Sequence, residues 1–287
     1  MPIGCFILKG LSLYFFCGGR LMQKILTIGG SDPFAGGGIQ SDLKTFENYQ
    51  LFGMSALTCV GMIDENGTFI LEDLPADWLE KQLTAIGKMV KLDGIKIGLL
   101  HSVEAIQVVR DFLKEQLGIP IVLDPVLAFK EALALANQTY MDCLVKDLFP
   151  LVDLVTPNLK EAALLSEGKT CASTEELIEA AKFIHSLGSK AVLVKGGAGI
   201  AGNQAIDVLY HAEKVEMFAL KKLKKVTVNG AGCTFSSAIT ANLVQGRTLS
   251  KAIHHSKAYV YQCISHGVMM GSQTGSVWSG GRLEGGA

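Results

Sequence analysis

The sequence predicts an α/β protein built on a mostly parallel sheet with helices on both faces. Two observations carry that expectation. Short apolar runs of strand length alternate with longer stretches of helical periodicity along most of the chain, which is the pattern of βαβ units. A chain of 287 residues, 49% of them hydrophobic, also has enough apolar material for one large core. No Pro/Ser-rich linker or charge run divides the middle, so a single domain is expected.

Residues 24–28 read as the first strand and 39–49 as the first helix. A second strand covers 56–62, whereas 64–73 has too few apolar residues for a central strand and is expected to form a small flap over one end of the sheet. Helix 77–90, strand 94–98, helix 103–116, strand 121–124, helix 137–147 and strand 154–156 follow, then helix 174–187 and strand 191–195. After Lys195 the pattern changes. Segments 205–210 and 213–219, separated by a short polar turn, read as an antiparallel hairpin, and helices 233–245 and 249–266 close the chain. Right-handed crossovers leave ligand loops at the carboxyl ends of the strands, so the informative residues belong just after strands.

The two ends stand apart. In residues 1–21 the apolar stretch 11–17 follows Lys9, but it is short, and glycines and Arg20 come after it instead of a cleavage site. It is also well below the roughly 20 residues of a membrane span. A strand pattern begins directly after Met22, so Met22 is the expected natural start and 1–21 a non-native or disordered extension. Residues 22–270 form the expected domain, and 271–287, rich in Gly and Ser without periodicity, a flexible tail. The formal charge of −1 gives no basic footprint for nucleic acid or an anionic membrane surface, and neither partner is expected. Seven dispersed cysteines, with no C-x-x-C pair and no zinc spacing, read as reduced thiols of a cytoplasmic protein.

Several segments carry candidate chemistry. The first strand runs into the loop Gly29 to Gly38, which suits close approach of backbone to a ligand and equally suits a plain strand-to-helix turn. It holds neither a G-x-G-x-x-G fingerprint nor a Walker A lysine. Asn229-Gly230-Ala231-Gly232-Cys233-Thr234 precedes an apolar helical run, and successive N–H groups at such a helix start make an anion cradle. Cys233 lies in the first turn, where that field is expected to lower the thiol's pKa. Lys195-Gly196-Gly197 places a lysine at a strand end beside flexible backbone, suited to nucleotide phosphates, or else a surface lysine before a turn. Asn158 and Glu161, three apart at a helix start, either orient Mg²⁺ or form a capping pair.

Six segments in order, TIGGSDPFAGGGIQSDLKTF (27–46), KIGLL (96–100), LDPV (123–126), TPNLKEA (156–162), KGG (195–197) and GAGCTFSSA (230–238), together resemble the ribokinase superfamily. The resemblance spans residues 22–267 and is specific to the branch of hydroxymethylpyrimidine (phosphate) kinases and bacterial pyridoxal kinases. It implies a ribokinase-like three-layer α/β/α kinase domain over 22–270, with a mostly parallel central sheet and a small flap, and with ATP and Mg²⁺ as cofactors. Gly230, Ala231 and Gly232 match the anion hole for the γ-phosphate, and Cys233 stands where many sugar kinases carry a catalytic aspartate. Lys195, Gly197, Asn158 and Glu161 match nucleotide-phosphate positions, with Asp124 and Glu161 on the metal side. Ser31, Asp32, Gly38, Asp42, Ile63, Leu99, Val126 and Lys130 match the acceptor site.

The implied activity is ATP-dependent phosphorylation of the hydroxymethyl group of a small molecule, either a B6 vitamer or the hydroxymethylpyrimidine of thiamine biosynthesis. Ile63 favours the vitamer. Hydroxymethylpyrimidine kinases usually carry Glu or Gln there to accept from the aminopyrimidine, and a donor left unmet costs about 1–3 kcal/mol. Phe129 stands where some pyridoxal kinases of this type have a second cysteine, which argues against a two-cysteine aldehyde mechanism. Cys233 as thiolate either takes the hydroxyl proton or holds an aldehyde as a hemithioacetal. The chain after Gly271 departs from the Gly-Pro-containing closing segment usual in the family. A symmetric homodimer is the expected assembly. A catalytically inactive ligand-binding regulator would show a broken GAGC, Lys-Gly-Gly or Asn-x-x-Glu element, and all are intact. A nicotinamide-dependent dehydrogenase needs the fingerprint that is missing.

Overall fold

The computed structural model describes residues 22–127, 137–168, 170–271 and 275–280. The expected extension 1–21, the residues Phe129 and Lys130, and residues 281–287 of the expected tail lie outside the described residues. In chain order the elements are β1 (Lys24–Ser31), α1 (Gly38–Asn48), β2 (Phe52–Ile63), β3 (Phe69–Asp73), α2 (Ala76–Met89), β4 (Gly94–Ile97), α3 (Val103–Leu113), β5 (Ile121–Leu123), α4 (Gln138–Leu148), β6 (Leu154–Val155), α5 (Leu159–Leu165), α6 (Thr174–Ser186), β7 (Ala191–Val194), β8 (Gln204–His211), β9 (Lys214–Lys221), β10 (Thr227–Asn229), α7 (Ala231–Val244), α8 (Leu249–Ser265), β11 (Val268–Met269) and β12 (Gly275–Ser276). Among the described residues, a nine-stranded sheet has the order β3-β2-β1-β4-β5-β6-β7-β8-β9. Pairing from β2 through β7 is parallel, and the edges β3 and β8-β9 are antiparallel.

The central strands are buried on both faces, which is why they read as unbroken apolar runs. Alternate residues serve opposite layers, because successive side chains of a strand point to opposite faces. Ile121 and Leu123 of β5 join the core under α2 to α6, whereas Val122 packs with Phe235 and Ile239 of α7 and Ile253 of α8. Val192 and Val194 of β7 go with the first set, Ala191 and Leu193 with the second. The result is a three-layer sandwich, with α1, α7 and α8 on one face and α2 to α6 on the other.

Local chemistry sets the helix starts. Ser102 and Asn137 accept the N–H of Ala105 and Tyr140, and Ser173 with Glu176 forms a capping box. Helix α7 differs: its N-cap is Gly230, in the left-handed region at φ 81°, and no side chain caps it. A Cβ built on Gly230 would lie 1.7 Å from the carbonyl oxygen of Gly36, so the two glycine-rich segments touch backbone to backbone.

Three features differ from the sequence reading. The flap segment contributes a regular edge strand, β3, paired antiparallel with β2 from Ile63↔Phe69 to Cys59↔Asp73. Helix α5 follows the Asn158 cap, where the sequence predicts a helix start, but is too short for its extent to show as a periodic signal. The chain after Gly271 is not a free tail over residues 275–280: β12 joins β10 and β11 in a small second sheet. The Tyr259 hydroxyl donates to the Ser279 carbonyl at 2.7 Å, and the Trp278 N–H donates to the Cys263 carbonyl at 3.0 Å. Strands of two or three residues leave no hydrophobic pattern to read, so their order comes from backbone pairing that composition does not record.

Gly230→Ala is expected to destabilise the protein, since a left-handed L-residue costs roughly 1–2 kcal/mol before the Gly36 carbonyl is displaced. A fall in Tm of at least about 4 °C in differential scanning fluorimetry checks this, and an unchanged Tm would contradict the described contact.

Candidate active site

Helix α7, whose N-terminus carries Gly232 and Cys233, packs over β4 and β5 in the middle of the sheet. It is bracketed by two buried carboxylates. Asp42 on α1 accepts from Thr27 Oγ1 at 2.6 Å, Lys96 Nζ at 2.9 Å and Ser237 Oγ at 2.6 Å. Asp124, directly after β5, accepts from Lys195 Nζ, from Thr156 Oγ1 at 3.1 Å and from Ser236 Oγ at 3.2 Å. Ser236 and Ser237 lie one turn after Cys233, so the start of α7 is tied to α1 and β5 at once. A further tie is the hydrogen bond between the Ser41 and Thr234 hydroxyls, 3.0 Å.

Two cavities meet at this helix start. One is a cleft of about 470 Å³ lined by Asn158, Lys195, Gly197, Ala231 and Gly232, with an apolar wall that includes Leu220, Leu223, Val228, Val260 and Ile264. The other, about 50 Å³, is lined by Ser31, Asp32, Gly38, Asp42, Leu99, Val126 and Cys233, together with Lys96, Phe69 and Leu71. Gly232 and Cys233 are consecutive, and each lines a different cavity. The first loop is braced from within: Gln40 Nε2 donates to Ser31 Oγ at 2.7 Å, its Oε1 accepts from the Asp32 N–H at 3.0 Å, and Asp32 Oδ1 accepts from the Phe34 N–H at 3.0 Å.

The remaining sequence-singled residues are placed differently. Gly230 forms the cap and lines neither cavity. Asn158 and Glu161 form a reciprocal capping box, the Glu161 N–H donating to Asn158 Oδ1 at 3.0 Å and the Asn158 N–H to Glu161 Oε2 at 2.8 Å. Glu161 and Asp124 line neither cavity, and no group of three His, Cys, Asp or Glu side chains suited to a metal exists among the described residues. Ile63 ends β2, is 46% exposed and does not line the smaller cavity. Lys130 lies outside the described residues.

Electrostatics correct one expectation. Cys233 is partly exposed, but the protein crowds its sulfur so closely that burial pushes the thiol up, to about 11. Lys96 pulls the other way, and the Asp42 and Asp124 carboxylates add to the rise. The field of the helix start therefore does not make Cys233 a thiolate in this pocket. Burial alone would raise Asp124, yet the Lys195 and Lys96 ammoniums hold it below the ordinary carboxylate value. Burial pushes the Glu161 carboxyl up to about 7 against the pull of Lys195.

Sequence reading missed Lys96 as a site residue. It is 1% exposed on a strand that is otherwise apolar. A buried lysine demands a buried acid, and that demand was the available signal. It also missed Asp207 and Lys257, charged residues on buried stripes of β8 and α8 that pair with each other.

Alkylation of Cys233 by iodoacetamide, followed by mass spectrometry of its peptide, is expected to accelerate continuously from about pH 7 to pH 10, because the thiolate is the reacting form. A plateau below about pH 8 would show a thiolate at neutral pH and contradict the thiol assignment.

Comparison with known proteins agrees with this geometry. The family model described as phosphomethylpyrimidine kinase matches residues 32–278. A pyridoxine kinase of Bacillus subtilis is 36% identical, over 88% of this chain and 94% of that protein. A hydroxymethylpyrimidine/phosphomethylpyrimidine kinase of Staphylococcus aureus is 34% identical, over 88% and 91%. Among solved structures, the pyridoxal kinase of Staphylococcus aureus in complex with AMP-PCP superimposes with a TM-score of 0.85 at 34% identity, covering 92% of this chain and 96% of that one. A phosphomethylpyrimidine kinase from Clostridium difficile gives 0.72 at 33% identity, covering 84% and 99%. With a match over most of its length and an intact helix-start cradle between two cavities, the chain belongs to the phosphomethylpyrimidine kinase family, a family of phosphotransferases within the ribokinase-like fold.

Proposed function

We propose that this protein transfers the γ-phosphoryl group of ATP to the hydroxymethyl oxygen of a B6 vitamer, giving the 5′-phosphate and ADP. The observation that carries the reading is the shared wall: Gly232 and Cys233, at an uncapped helix start, line the nucleotide cleft and the acceptor cavity respectively. The larger cleft suits ATP. Leu220, Leu223, Val228, Val260 and Ile264 offer apolar surface to a base, and Lys195, Asn158 and the Gly232 backbone offer donors to phosphates, while the Gly197 N–H is taken by Asp207.

In the transfer, the acceptor oxygen bonds to the γ-phosphorus as the bond to the β,γ-bridging oxygen breaks; that electron pair leaves with ADP, and the hydroxyl proton is released. The α7 amides at Ala231 to Cys233 face the charge that spreads over the phosphoryl oxygens, and Lys195 reaches the same cleft. Because the transition state is loose, positioning and charge compensation carry most of the catalysis. Cys233, protonated at neutral pH, contributes a contact at the acceptor rather than a base. Magnesium bound with the nucleotide would offset the negative charge of the phosphates. Asp124, engaged by Lys195, Thr156 and Ser236, and Glu161, which accepts from the Asn158 amide, would hold that ion through water and not as direct ligands.

The choice of vitamer over hydroxymethylpyrimidine is supported by similarity, 0.85 against 0.72 in TM-score for the pyridoxal and pyrimidine kinases, and by the lining of the acceptor cavity. No Glu or Gln lines it among the described residues. At about 50 Å³ the cavity is far below the size of ligand pockets, roughly 300 Å³ and up, so binding requires its lining to move apart. The reading extends to a cytoplasmic homodimer. The described cysteines are free thiols, and Met62, Ile63 and Ile70 give the edge hairpin an exposed apolar patch.

A coupled ADP-release assay across pyridoxal, pyridoxine, pyridoxamine and hydroxymethylpyrimidine tests the proposal. Turnover of the vitamers above the pyrimidine is expected; the reverse order overturns the substrate, and no ADP release with any acceptor overturns the kinase reading. In the same assay Lys195→Met is expected to lower kcat by about 10²–10³-fold while the acceptor KM changes little, the signature of a group that acts on the transferring phosphoryl.

A further inference from the structure

Asp207 of β8 and Lys257 of α8 form a buried ion pair in the wall of the nucleotide cleft, outside every motif that marks the family. They are 3% and 9% exposed, and Lys257 Nζ lies 2.5 Å from Asp207 Oδ2. The other carboxylate oxygen, Oδ1, accepts the Gly197 N–H at 3.1 Å, and the Ile206 N–H donates to the Gly197 carbonyl at 3.1 Å. Gly197 is thus pinned on both sides by β8, in a left-handed conformation at φ 49°, with no atom within 4 Å of where a Cβ would stand. Asp207 and Lys257 line the same cleft as Lys195 and Gly232. One carboxylate therefore divides itself between the loop that follows Lys195 and an ammonium on the opposite element.

We propose that the Asp207–Lys257 pair is a charge-neutral latch that sets nucleotide affinity: Asp207 positions the Gly196-Gly197 loop and, by occupying Lys257, withholds a cation from the nucleotide phosphates. The inference rests on the reading of this cleft as the ATP site. Its physics is the cost of an unpaired charge in a poorly solvated place. Removing Lys257 leaves a buried carboxylate that repels phosphate. Removing the charge of Asp207 leaves an ammonium whose available counter-ion is the nucleotide itself. Substituting the two partners should therefore move affinity in opposite directions, whereas loss of a merely structural pair would weaken both the fold and binding together.

Titration calorimetry with ADP and with AMP-PCP, beside urea unfolding of each variant, reads this out. Lys257→Met is expected to weaken ADP binding about tenfold or more, and Asp207→Asn, which keeps an acceptor for Gly197, to tighten it several-fold. The double variant should return to within about threefold of the parent, and Lys257→Arg should match it. The gain in Asp207→Asn should shrink as salt is raised. Should Lys257→Met not fold, Lys257→Gln carries the same expectation. Both single substitutions weakening binding in step with lost stability, or neither changing it, overturns the latch. A parent protein that binds no nucleotide at all would instead sink the assignment of the cleft.

Discussion

The start of α7 has no side-chain cap, and everything around it compensates for that. Helix starts leave orphan N–H groups, and here they face the meeting point of two cavities with only Gly230 before them. The helix is held there by two carboxylates on different elements, Asp42 through Ser237 and Asp124 through Ser236. Each carboxylate is in turn neutralised by its own buried lysine, Lys96 or Lys195. Burying such pairs is seldom a net gain in stability. What the arrangement does secure is position: the amides sit at one place relative to β4 and β5, and the local charge stays balanced until a nucleotide arrives.

That balance also explains why Cys233 is a thiol. Reasoning from the helix start alone considers one favourable field and expects the pKa to fall. The folded protein adds what the sequence does not display. The sulfur is crowded by protein, and Asp42 and Asp124 lie near it, while Lys96 and the Gly38 backbone oppose them. Desolvation outweighs a partial charge at the helix end, because the helix field is worth little more than a kcal/mol or so and full burial shifts a titratable group by several times that.

The fold was largely legible because its central strands are buried on both faces, so each apolar run between helical stretches could only be a strand. The hairpin after Lys195 was legible from alternation on either side of a polar turn, and appears as β8 and β9. What escaped notice was whatever depended on pairing across distance. The sheet of β10, β11 and β12 is made of strands of two or three residues, too short to show alternation, and β10 pairs with β12 across the whole of α7 and α8. In the site, glycine-rich segments were visible because backbone chemistry is local. Lys96, Asp207 and Lys257 were not, because a charge on an apolar stripe acquires meaning only from its partner, 54 residues away for Lys96 and 50 for Lys257.

The sheet topology shows why two cavities flank a single helix. From β1 the chain moves to β2 on one side and later returns to β4 on the other, so a crevice opens beyond the carboxyl ends of β1 and β4, the usual place for a ligand in such sheets. Ser31 and Asp32 at the end of β1 and Gly98 and Leu99 beyond β4 line the smaller cavity there. The antiparallel strands added at the two edges then serve different ends. On one side β3 brings Phe69 and Leu71 to the smaller cavity; on the other β8 and β9 bring Asp207 and Leu220 to the larger cleft. A wholly parallel sheet would leave both cavities open at their outer walls. The hairpins add a wall to each, while α7 packs over the central strands between.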